Sequence, residues 1–302
     1  MDFRQIEAFV NVIKYKSFSK AAEALFLTQP TVSTHVNTLE KELHSKLIER
    51  GAKEAIPTRE GQIFFEYALN MLRMREQAAF ALDEYASKIQ GIVEIQASSI
   101  PAQYILPEYI SKFKEKYPEV KYYLEQSDSE MVIENLLEKK GEIGFTGSMK
   151  NCDLTFIELM RDEMVLLAPN NEKFSAFKGS SLGIGDFINE PFVWREQGSG
   201  TRKAFEACLI KSGYSPKNMN IIARMNSMEA IKEAVSCGLG VSIMSTVAAA
   251  SKVGGKKYLT FKIKDFKEER HFYLAFNRKV KLSPVAEAFR DFILSDIHKD
   301  DV

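Results

Sequence analysis

One stretch near the start of the chain, residues 28–43, constrains the fold more than any other. Its apolar residues recur at steps of four, three and four: Val32, Val36, Leu39 and Leu43. This spacing predicts a helix with one continuous apolar stripe that faces a core. Thr28 is placed to cap the predicted helix, and Pro30 fits its first turn.

The opposite face of the predicted helix carries short polar side chains near its N-terminus. A helix that enters a DNA major groove needs an apolar docking face, short polar groups that reach base edges, and free N-terminal amides for a phosphate. An amphipathic helix with a merely solvated polar face shows the same pattern, so the flanking sequence has to decide. The candidate DNA-contacting residues of this helix are Gln29, Pro30, Thr31, Ser33, Thr34, His35 and Asn37.

The upstream sequence favours a helix-turn-helix unit. Apolar spacing predicts a first amphipathic helix over residues 3–13, and residues 19–25 predict a short second helix capped by Ser19. A turn at residues 26–27 then leads into the predicted recognition helix, which is the order of a helix-turn-helix motif.

A predicted hairpin follows the recognition helix and supplies candidate phosphate contacts. Residues 47–50 and 55–58 bracket a short turn, and this hairpin or wing carries Arg50 and Lys53. The formal net charge of the chain is zero, and residues 1–58 hold eight Lys or Arg against seven Asp or Glu. Affinity for DNA therefore has to come from local placement of positive charge and from doubling of the site in a dimer.

A long helix is predicted to connect the N-terminal unit to the rest of the chain. From Thr58, its predicted cap, to about Ile89 there is no Pro and only one Gly, which predicts a helix of roughly 45 Å. Its apolar period of alternating four and three predicts a seam with a second copy of the helix, although packing on its own chain is the alternative. The seam positions are Phe64, Ala68, Met71, Arg75, Ala78, Leu82, Tyr85 and Ile89.

After Gly91 the pattern changes to strands that alternate with helices. This alternation predicts two α/β lobes, each with a parallel, mostly buried sheet, and the C-terminal strand 271–276 and helix 284–294 return to the first lobe. The other predicted strands are residues 92–97, 120–124, 143–146, 164–168, 192–194, 220–223 and 241–244.

The predicted domains are therefore three. They are residues 1–58 for the helix-turn-helix unit with its wing, 59–90 for the linker helix, and 91–302 for the two lobes. Within the last, lobe I comprises about residues 91–163 and 268–302, and lobe II about residues 164–267.

Two parallel sheets side by side place the carboxyl ends of their strands at a shared cleft, where such folds bind ligands. A Ser-Ser pair and a Gly-Ser-Gly-Thr-Arg loop each open a predicted helix there, and either alone is more typical of a cap or a turn than of a ligand site. Together they indicate a site for a small anion, with Arg195 or Arg202 as candidate counter-charges. The candidate ligand-binding residues are Ser98, Ser99, Thr146, Gly147, Ser199, Gly200 and Thr201.

The sequence favours neither catalysis nor metal or cofactor binding. The four histidines are scattered without a partner at a known motif spacing, and the three cysteines form no Cys-x-x-Cys group. There is no apolar run near twenty residues and no signal pattern, so we expect a cytoplasmic protein with no membrane partner.

Several spaced motifs, taken together, resemble the LysR-type transcriptional regulators. In the N-terminal part these are Ala21-Ala-Glu, Leu27-Thr-Gln-Pro, Val32-Ser, Leu39-Glu, Leu43 and Pro57-Thr-Arg-Glu-Gly. In the second half they are Leu106-Pro, Phe113, Tyr117-Pro, Gly141-Glu-Ile and Ala234-Val-x-x-Gly-Leu-Gly-Val. The chain departs from the family at His44, Ile48 and Glu142, where Gly, Phe and Asp are usual.

The resemblance implies a mainly α winged helix-turn-helix domain, a linker helix that pairs to form a homodimer or homotetramer, and a two-lobed α/β effector domain like type 2 periplasmic binding proteins. It implies a ligand-responsive regulator that binds double-stranded promoter or operator DNA, with RNA polymerase as a further candidate partner. The Gly-Ser-Gly-Thr-Arg loop is similar to the loop of those family members that respond to sulfur metabolites or other small oxyanions. The competing hypothesis is a two-lobed small-molecule-binding protein or enzyme with an N-terminal interaction module.

Overall fold

The computed structural model describes residues 1–49, 54–83, 89–250, 257–266 and 270–300, without the side chains of residues 80–83 and 298–300. The predicted wing contacts Arg50 and Lys53 lie outside the described residues, as does part of the predicted linker helix, residues 84–88.

The N-terminal unit is a helical bundle with a short antiparallel hairpin. Its elements are α1 (Phe3–Tyr15), α2 (Phe18–Ala24), α3 (Gln29–Glu42), β1 (Ile48–Glu49), β2 (Ile56–Pro57) and α4 (Arg59–Asp83). Apolar side chains of α1 and α3 that are almost fully buried form its centre, among them Phe9, Val12, Val32, Val36 and Leu39.

Local hydrogen bonds fix where these helices begin. The predicted cap Thr28 is confirmed, since its hydroxyl accepts a hydrogen bond from the amide of Thr31. The predicted cap Ser19 is wrong. The hydroxyl of Ser17 caps α2 instead, by accepting from the amide of Lys20, so the helix begins at Phe18. Both serines are suitable cap types, and only the backbone conformation distinguishes them.

Helix α4 packs on its own chain through the face that was predicted to contact a second copy. Ala68 is fully buried against the core of α1 and α3, and Phe64 and Met71 pack on the same core. Arg75 pairs with Glu7 at 3.5 Å, and its guanidinium lies 5.0 Å from the ring centre of Phe3. The prediction that these positions contact a second copy is therefore wrong over this part of the helix. Ile89, the last of the predicted seam positions, lies outside any helix.

A second face of α4 is exposed and apolar. Ile63, Tyr67 and Met74 are 56%, 65% and 49% exposed. They recur at steps of four and seven, so they form one stripe along the helix.

The rest of the chain forms two α/β lobes. The first part contains β3 (Gly91–Ser98), α5 (Leu106–Lys116), β4 (Val120–Ser127), α6 (Ser129–Leu137), β5 (Ile143–Thr146) and β6 (Leu154–Asp162). Then follow β7 (Met164–Pro169), α7 (Glu172–Ser175), β8 (Pro191–Arg195), α8 (Gly200–Lys211), β9 (Asn220–Met225), α9 (Met228–Ser236), β10 (Ser242–Ser245), α10 (Thr246–Ala250), β11 (Tyr258–Lys262), β12 (Arg270–Asn277) and α11 (Pro284–Asp300).

The two lobes share one strand pattern. In lobe I the order is β4-β3-β5-β12-β6, with β3 parallel to both neighbours and β12 antiparallel to both. In lobe II, β9 is parallel to β8, a parallel bridge joins Phe192 of β8 to Val241 beside β10, and β10 and β11 are antiparallel to β7.

The prediction of two all-parallel sheets is therefore wrong. β5 and β6 run in the same direction, because β12 lies between them and is antiparallel to both. The chain passes between the lobes twice, from β6 into β7 and again before β12. The strand that it enters after each passage, β7 in lobe II and β12 in lobe I, is antiparallel to both of its neighbours.

Polar contacts join α4 to lobe I. The Arg73 guanidinium pairs with Glu142 at 2.9 Å, and Glu142 also accepts hydrogen bonds from the amide and the hydroxyl of Ser283. Burial raises the pKa of Glu142, against the opposing effect of Arg73. The side-chain amide of Asn70 donates to the carbonyl of Lys279 at 2.8 Å. These contacts anchor the linker helix beside the first lobe.

Candidate functional site

The first candidate site is the polar face of α3. Gln29, Pro30 and Thr34 are exposed at the N-terminal end of the helix. Val32 and Val36, on the other face, are fully buried. The remaining predicted contact residues of this helix are half-buried beside the exposed ones: Thr31, Ser33, His35 and Asn37.

Hydrogen bonds within α3 leave some of these side chains available to a partner. The hydroxyl of Thr34 donates to the carbonyl of Pro30 at 2.9 Å, and those of Thr28 and Thr31 lie 2.8 Å apart. The side chains of Gln29 and Ser33, in contrast, make no hydrogen bond within the described part of the chain. The amide of Gln29 and the hydroxyl of Ser33 can therefore bond to groups outside the protein.

A buried carboxylate, Glu40, holds the hairpin against α3. Its side chain is 3% exposed and accepts hydrogen bonds from the amides of Leu47 and Ile48 at 2.9 and 3.2 Å, and from the Lys46 ammonium at 2.9 Å. Burial would raise the pKa of Glu40, but these hydrogen bonds outweigh it and lower the pKa. The Leu39-Glu motif marked this residue in the sequence without indicating its role.

The second candidate site is a cavity between the lobes with an empty volume of about 230 Å³. On one side Ser98 ends β3, and Ser99 opens the segment that leads through a π-helical turn, Pro101–Ile105, into α5. On the other side lies the start of α8. The cavity is lined by Ser98, Ser99, Ile100, Asp128, Ser129, Arg195, Glu196, Ser199, Gly200, Thr201, Met228 and Arg270.

Five of the seven predicted ligand-binding residues line this cavity: Ser98, Ser99, Ser199, Gly200 and Thr201. The other two lie behind it. Thr146 is fully buried, and its hydroxyl accepts a hydrogen bond from the amide of Ser148. Gly147 packs against Arg270, because a Cβ at that position would lie 2.8 Å from the arginine Nη2.

No sequence pattern predicted Arg270, the first residue of β12. Its Nη1 donates to the hydroxyl of Thr201 at 2.9 Å and lies 3.3 Å from a carboxylate oxygen of Asp162. Its Nε is buried without a hydrogen-bond partner among the described residues. Burial lowers the pKa of Arg270 to about 10, so the guanidinium is still charged at neutral pH. No local motif marks this residue, because its partners lie far away in sequence.

Arg195, one of the two predicted counter-charges, also lines the cavity. It ends β8, is 4% exposed, and its Nη2 lies 3.4 Å from the Ser99 hydroxyl across the cleft. The Nε and Nη2 of Arg195 donate to the two carboxylate oxygens of Glu196 at 2.7 and 2.6 Å. The other predicted counter-charge, Arg202, is not part of the lining and pairs with Glu206.

These groups are suited to binding an anion. Two buried guanidiniums, several hydroxyls and the N-terminal amides of α8 surround a small space. The cavity lining holds no His or Cys, and no cluster of metal-ligating side chains occurs among the described residues. None of the described helices is long and apolar enough to cross a membrane.

Sequence comparison gives matches over nearly the whole chain. The model of the bacterial regulatory helix-turn-helix protein, lysR family, matches residues 3–62, and that of the LysR substrate binding domain matches residues 86–297. The uncharacterized HTH-type transcriptional regulator MJ0300 of Methanocaldococcus jannaschii is 33% identical over 95% of this chain and 96% of that protein. The HTH-type transcriptional regulator CysL of Bacillus subtilis is 34% identical over 81% of each chain.

Solved structures show the same fold at low identity. A full-length OxyR variant from Pseudomonas aeruginosa aligns with a TM-score of 0.74 and 19% identity, over 99% of this chain and 95% of that one. The regulatory domain of Synechocystis PCC6803 CcmR in complex with 2-PG aligns with a TM-score of 0.63 and 22% identity, over 69% of this chain and 98% of that one. The chain therefore belongs to the LysR family of DNA-binding transcriptional regulators with an effector-binding domain.

Proposed function

We propose that this regulator senses a small oxyanion in the cleft between its lobes. The observation that carries this proposal is Arg270, a buried guanidinium whose Nε has no partner in the described chain and whose Nη1 bonds to Thr201 in the cavity wall. A buried unpaired donor on a charged group is costly, and an anion would satisfy it.

The polar groups around Arg270 fit this class of ligand. Hydroxyls of Ser98, Ser99, Ser199 and Thr201 and the amides at the start of α8 donate to anionic oxygens. We assign Gly147 and Gly200 the role of letting the backbone approach the ligand, and Thr146 that of shaping the turn behind it. The complex of the CcmR regulatory domain with 2-PG supports a small ligand in a domain of this fold.

Size also limits the ligand. The cavity is small, and its empty volume of about 230 Å³ includes open solvent at its mouth. We therefore expect an inorganic oxyanion or a metabolite of a few heavy atoms rather than a larger ligand.

Isothermal titration of the full chain with sulfate, inorganic phosphate and 2-PG, in chloride buffer of constant ionic strength, tests the proposal. We expect saturable binding at one site per chain for at least one of them. A lack of saturable heat with all three would contradict it.

We further propose that α3 reads a partly palindromic operator in the major groove. Gln29, Pro30, Ser33 and Thr34 lie nearest to the base edges, and Thr31, His35 and Asn37 are beside them. Arg50 and Lys53 of the wing would contact phosphates. The proposal includes three domains, at residues 1–58, 59–90 and 91–302. Within the third domain, lobe I comprises residues 91–163 and 268–302, and lobe II comprises residues 164–267.

A second copy of the chain would cover the exposed stripe of α4. Ile63, Tyr67 and Met74 are apolar, exposed and aligned on a helix that is anchored on its other face. A partly palindromic operator has two half-sites, and each needs one recognition helix. A homodimer, or a homotetramer built from two dimers, supplies both helices. The substitution Tyr67→Glu should lower the dimer fraction in sedimentation experiments, and an unchanged fraction would contradict this interface.

Ligand binding would change the angle between the lobes or the packing of the oligomer, and so change the half-site spacing. DNA footprints of the full chain with and without sulfate, at about 100 times its measured Kd and at constant ionic strength, test this step. Identical footprints would count against it.

We propose RNA polymerase as a further partner at such promoters, and the cytoplasm as the location of the protein.

The competing function, an enzyme with an N-terminal interaction module, would require turnover of a small substrate. The relatives bear the names of transcriptional regulators, and we propose that this chain is not an enzyme and needs no cofactor. Turnover that survives removal of residues 1–58 would support the competitor instead.

A further inference from the structure

The arginine–glutamate pair at the end of β8 differs from the other polar contacts of the cleft. Both carboxylate oxygens of Glu196 accept from one edge of the Arg195 guanidinium, at 2.6 and 2.7 Å. The two parallel donors of this edge match the geometry of a bidentate carboxylate or phosphate. In the structure, an acidic side chain of the protein itself already occupies it.

The rest of the Arg195 guanidinium offers little to an anion. Its Nη1 contacts the sulfur of Met228 at 3.1 Å, which is a weak acceptor, and its Nη2 lies 3.4 Å from the Ser99 hydroxyl. A bidentate contact between an incoming oxyanion and the Nε–Nη2 edge of Arg195 therefore requires that Glu196 moves.

Glu196 is able to leave that position. Its side chain is 25% exposed, whereas that of Arg195 is 5% exposed, so the carboxylate lies at the solvent side of the pair. A rotation of the Glu196 side chain towards water would return hydration to its charge and open the guanidinium edge, while the arginine stays in place.

We propose that Glu196 is an internal competitor that occupies the anion-binding edge of Arg195 until the effector displaces it. The inference rests on the proposed function of the cleft and adds to it. Because a charged carboxylate must be displaced, the site discriminates against weakly charged ligands and responds only to oxyanions with charge and geometry sufficient to replace a bidentate carboxylate.

The test compares two glutamates that are paired with arginine in the same lobe. Glu206 pairs with Arg202 at 2.8 Å, its side chain is 29% exposed, and it does not line the cavity. Glu196→Gln and Glu206→Gln each remove one negative charge at similar exposure. Only the first removes the internal competitor.

Sulfate and inorganic phosphate are the probes, titrated into the full-length wild type and both variants at constant ionic strength. We expect Glu196→Gln to bind the probe anion about tenfold more tightly than the wild type, and Glu206→Gln to stay within about twofold. Glu196→Ala should behave as Glu196→Gln does, because the effect comes from losing the carboxylate. Thermal unfolding gives a second measurement, in which the anion should raise the Tm of Glu196→Gln more than that of the wild type.

The possible failures are distinguishable. Equal anion affinity in the wild type and Glu196→Gln would overturn the inference and leave the anion site in place. An equal gain in both glutamine variants would also overturn it, because the effect would then be one of net charge. Absence of anion binding in the wild type and in Glu196→Gln would overturn the proposed function together with the inference. Binding in Glu196→Gln but not in the wild type would overturn both as well, because these anions would then not displace Glu196.

Discussion

The polar face of α3 and the cleft between the lobes present their proposed recognition groups in opposite ways. On α3 these groups come from one contiguous segment, residues 29–37, and its first residues are exposed. In the cleft they come from residues as far apart as Ser98 and Arg270 and are almost fully buried. Exposed contacts are individually weak and screened by salt, so affinity has to come from many of them. A buried guanidinium, in contrast, can dominate its site.

The largest expected effect therefore comes from a single cleft residue. Arg270→Met should weaken sulfate or phosphate binding by about 100-fold or more, because it removes a buried positive charge and its donors. Isothermal titration measures the loss. Arg278→Met is the matched control, since Arg278 directly follows the same strand, is exposed, and bonds to Thr155 as Arg270 bonds to Thr201.

Circular dichroism would verify folding, and Arg270→Lys offers a milder change that keeps the charge. Unchanged anion affinity in a folded Arg270→Met protein would show that anion binding in the cleft does not depend on this arginine. The cleft would then not be dominated by one buried charge, and it would no longer differ from α3 in this respect.

The next effect tests whether a buried charge also supports the exposed face. Glu40→Gln should lower the free energy of unfolding of the N-terminal unit by about 1.5–3 kcal/mol at pH 7, because it weakens hydrogen bonds to a buried carboxylate. The pKa of Glu40 is lowered in the folded state, so its contribution is present above the unfolded pKa of about 4.3 and is lost as the pH falls through the folded pKa.

The difference in Tm between the wild type and Glu40→Gln should accordingly be largest near neutral pH and shrink below about pH 4.3. Glu49→Gln, at an exposed position on β1, serves as the control and should change the Tm little at any pH. A pH-independent difference would mean that the charge of Glu40 is not what holds the hairpin.

A smaller effect is expected on the exposed surface. Gln29→Ala should weaken specific operator binding about tenfold per recognition helix, since a good bidentate base contact contributes about 1–3 kcal/mol. Gel-shift titration on a promoter fragment and on random duplex at moderate salt measures it, with the exposed Gln62 of α4 replaced in the control Gln62→Ala. Equal losses on both duplexes would show that Gln29 does not read sequence.

The smallest effect probes a single hydroxyl in the cleft. Thr201→Val should weaken anion binding about fivefold, because it removes one neutral hydrogen-bonding group beside Arg270. Thr155→Val removes the equivalent hydroxyl beside the exposed Arg278 and should leave anion binding unchanged. A loss of anion affinity as large as that in Arg270→Met would show that the hydroxyl contacts contribute as much to binding as the charge of Arg270.

Much of the N-terminal unit could be predicted because its determinants are local. The apolar stripe of α3 and the cap Thr28 depend on neighbours within a few residues, and the sequence displays them directly. The heptad-like period of α4 identified apolar positions such as Ala68, but a period does not say which surface covers them. In the structure α1 and α3 cover them, and other side chains are left exposed.

The cleft could be predicted only in part. Ser98, Ser99, Ser199, Gly200 and Thr201 were found because each lies where a strand meets a helix, a signal that the sequence carries. The sequence did not predict Arg270, because its position in the cavity lining depends on how the chain returns from lobe II to lobe I. No motif near Arg270 in the sequence indicates that return. The antiparallel strands were missed for the same reason.

The two passages of the chain between the lobes have a mechanical consequence. Asp162 closes the strand before the first passage, Arg270 opens the strand after the second, and the two residues pair at 3.3 Å. Two connections between two lobes favour rotation about the line that joins them over free twisting. An anion bound at Arg270, as proposed, would act close to that line, so that a small displacement there would become a large movement at the outer edges of the lobes.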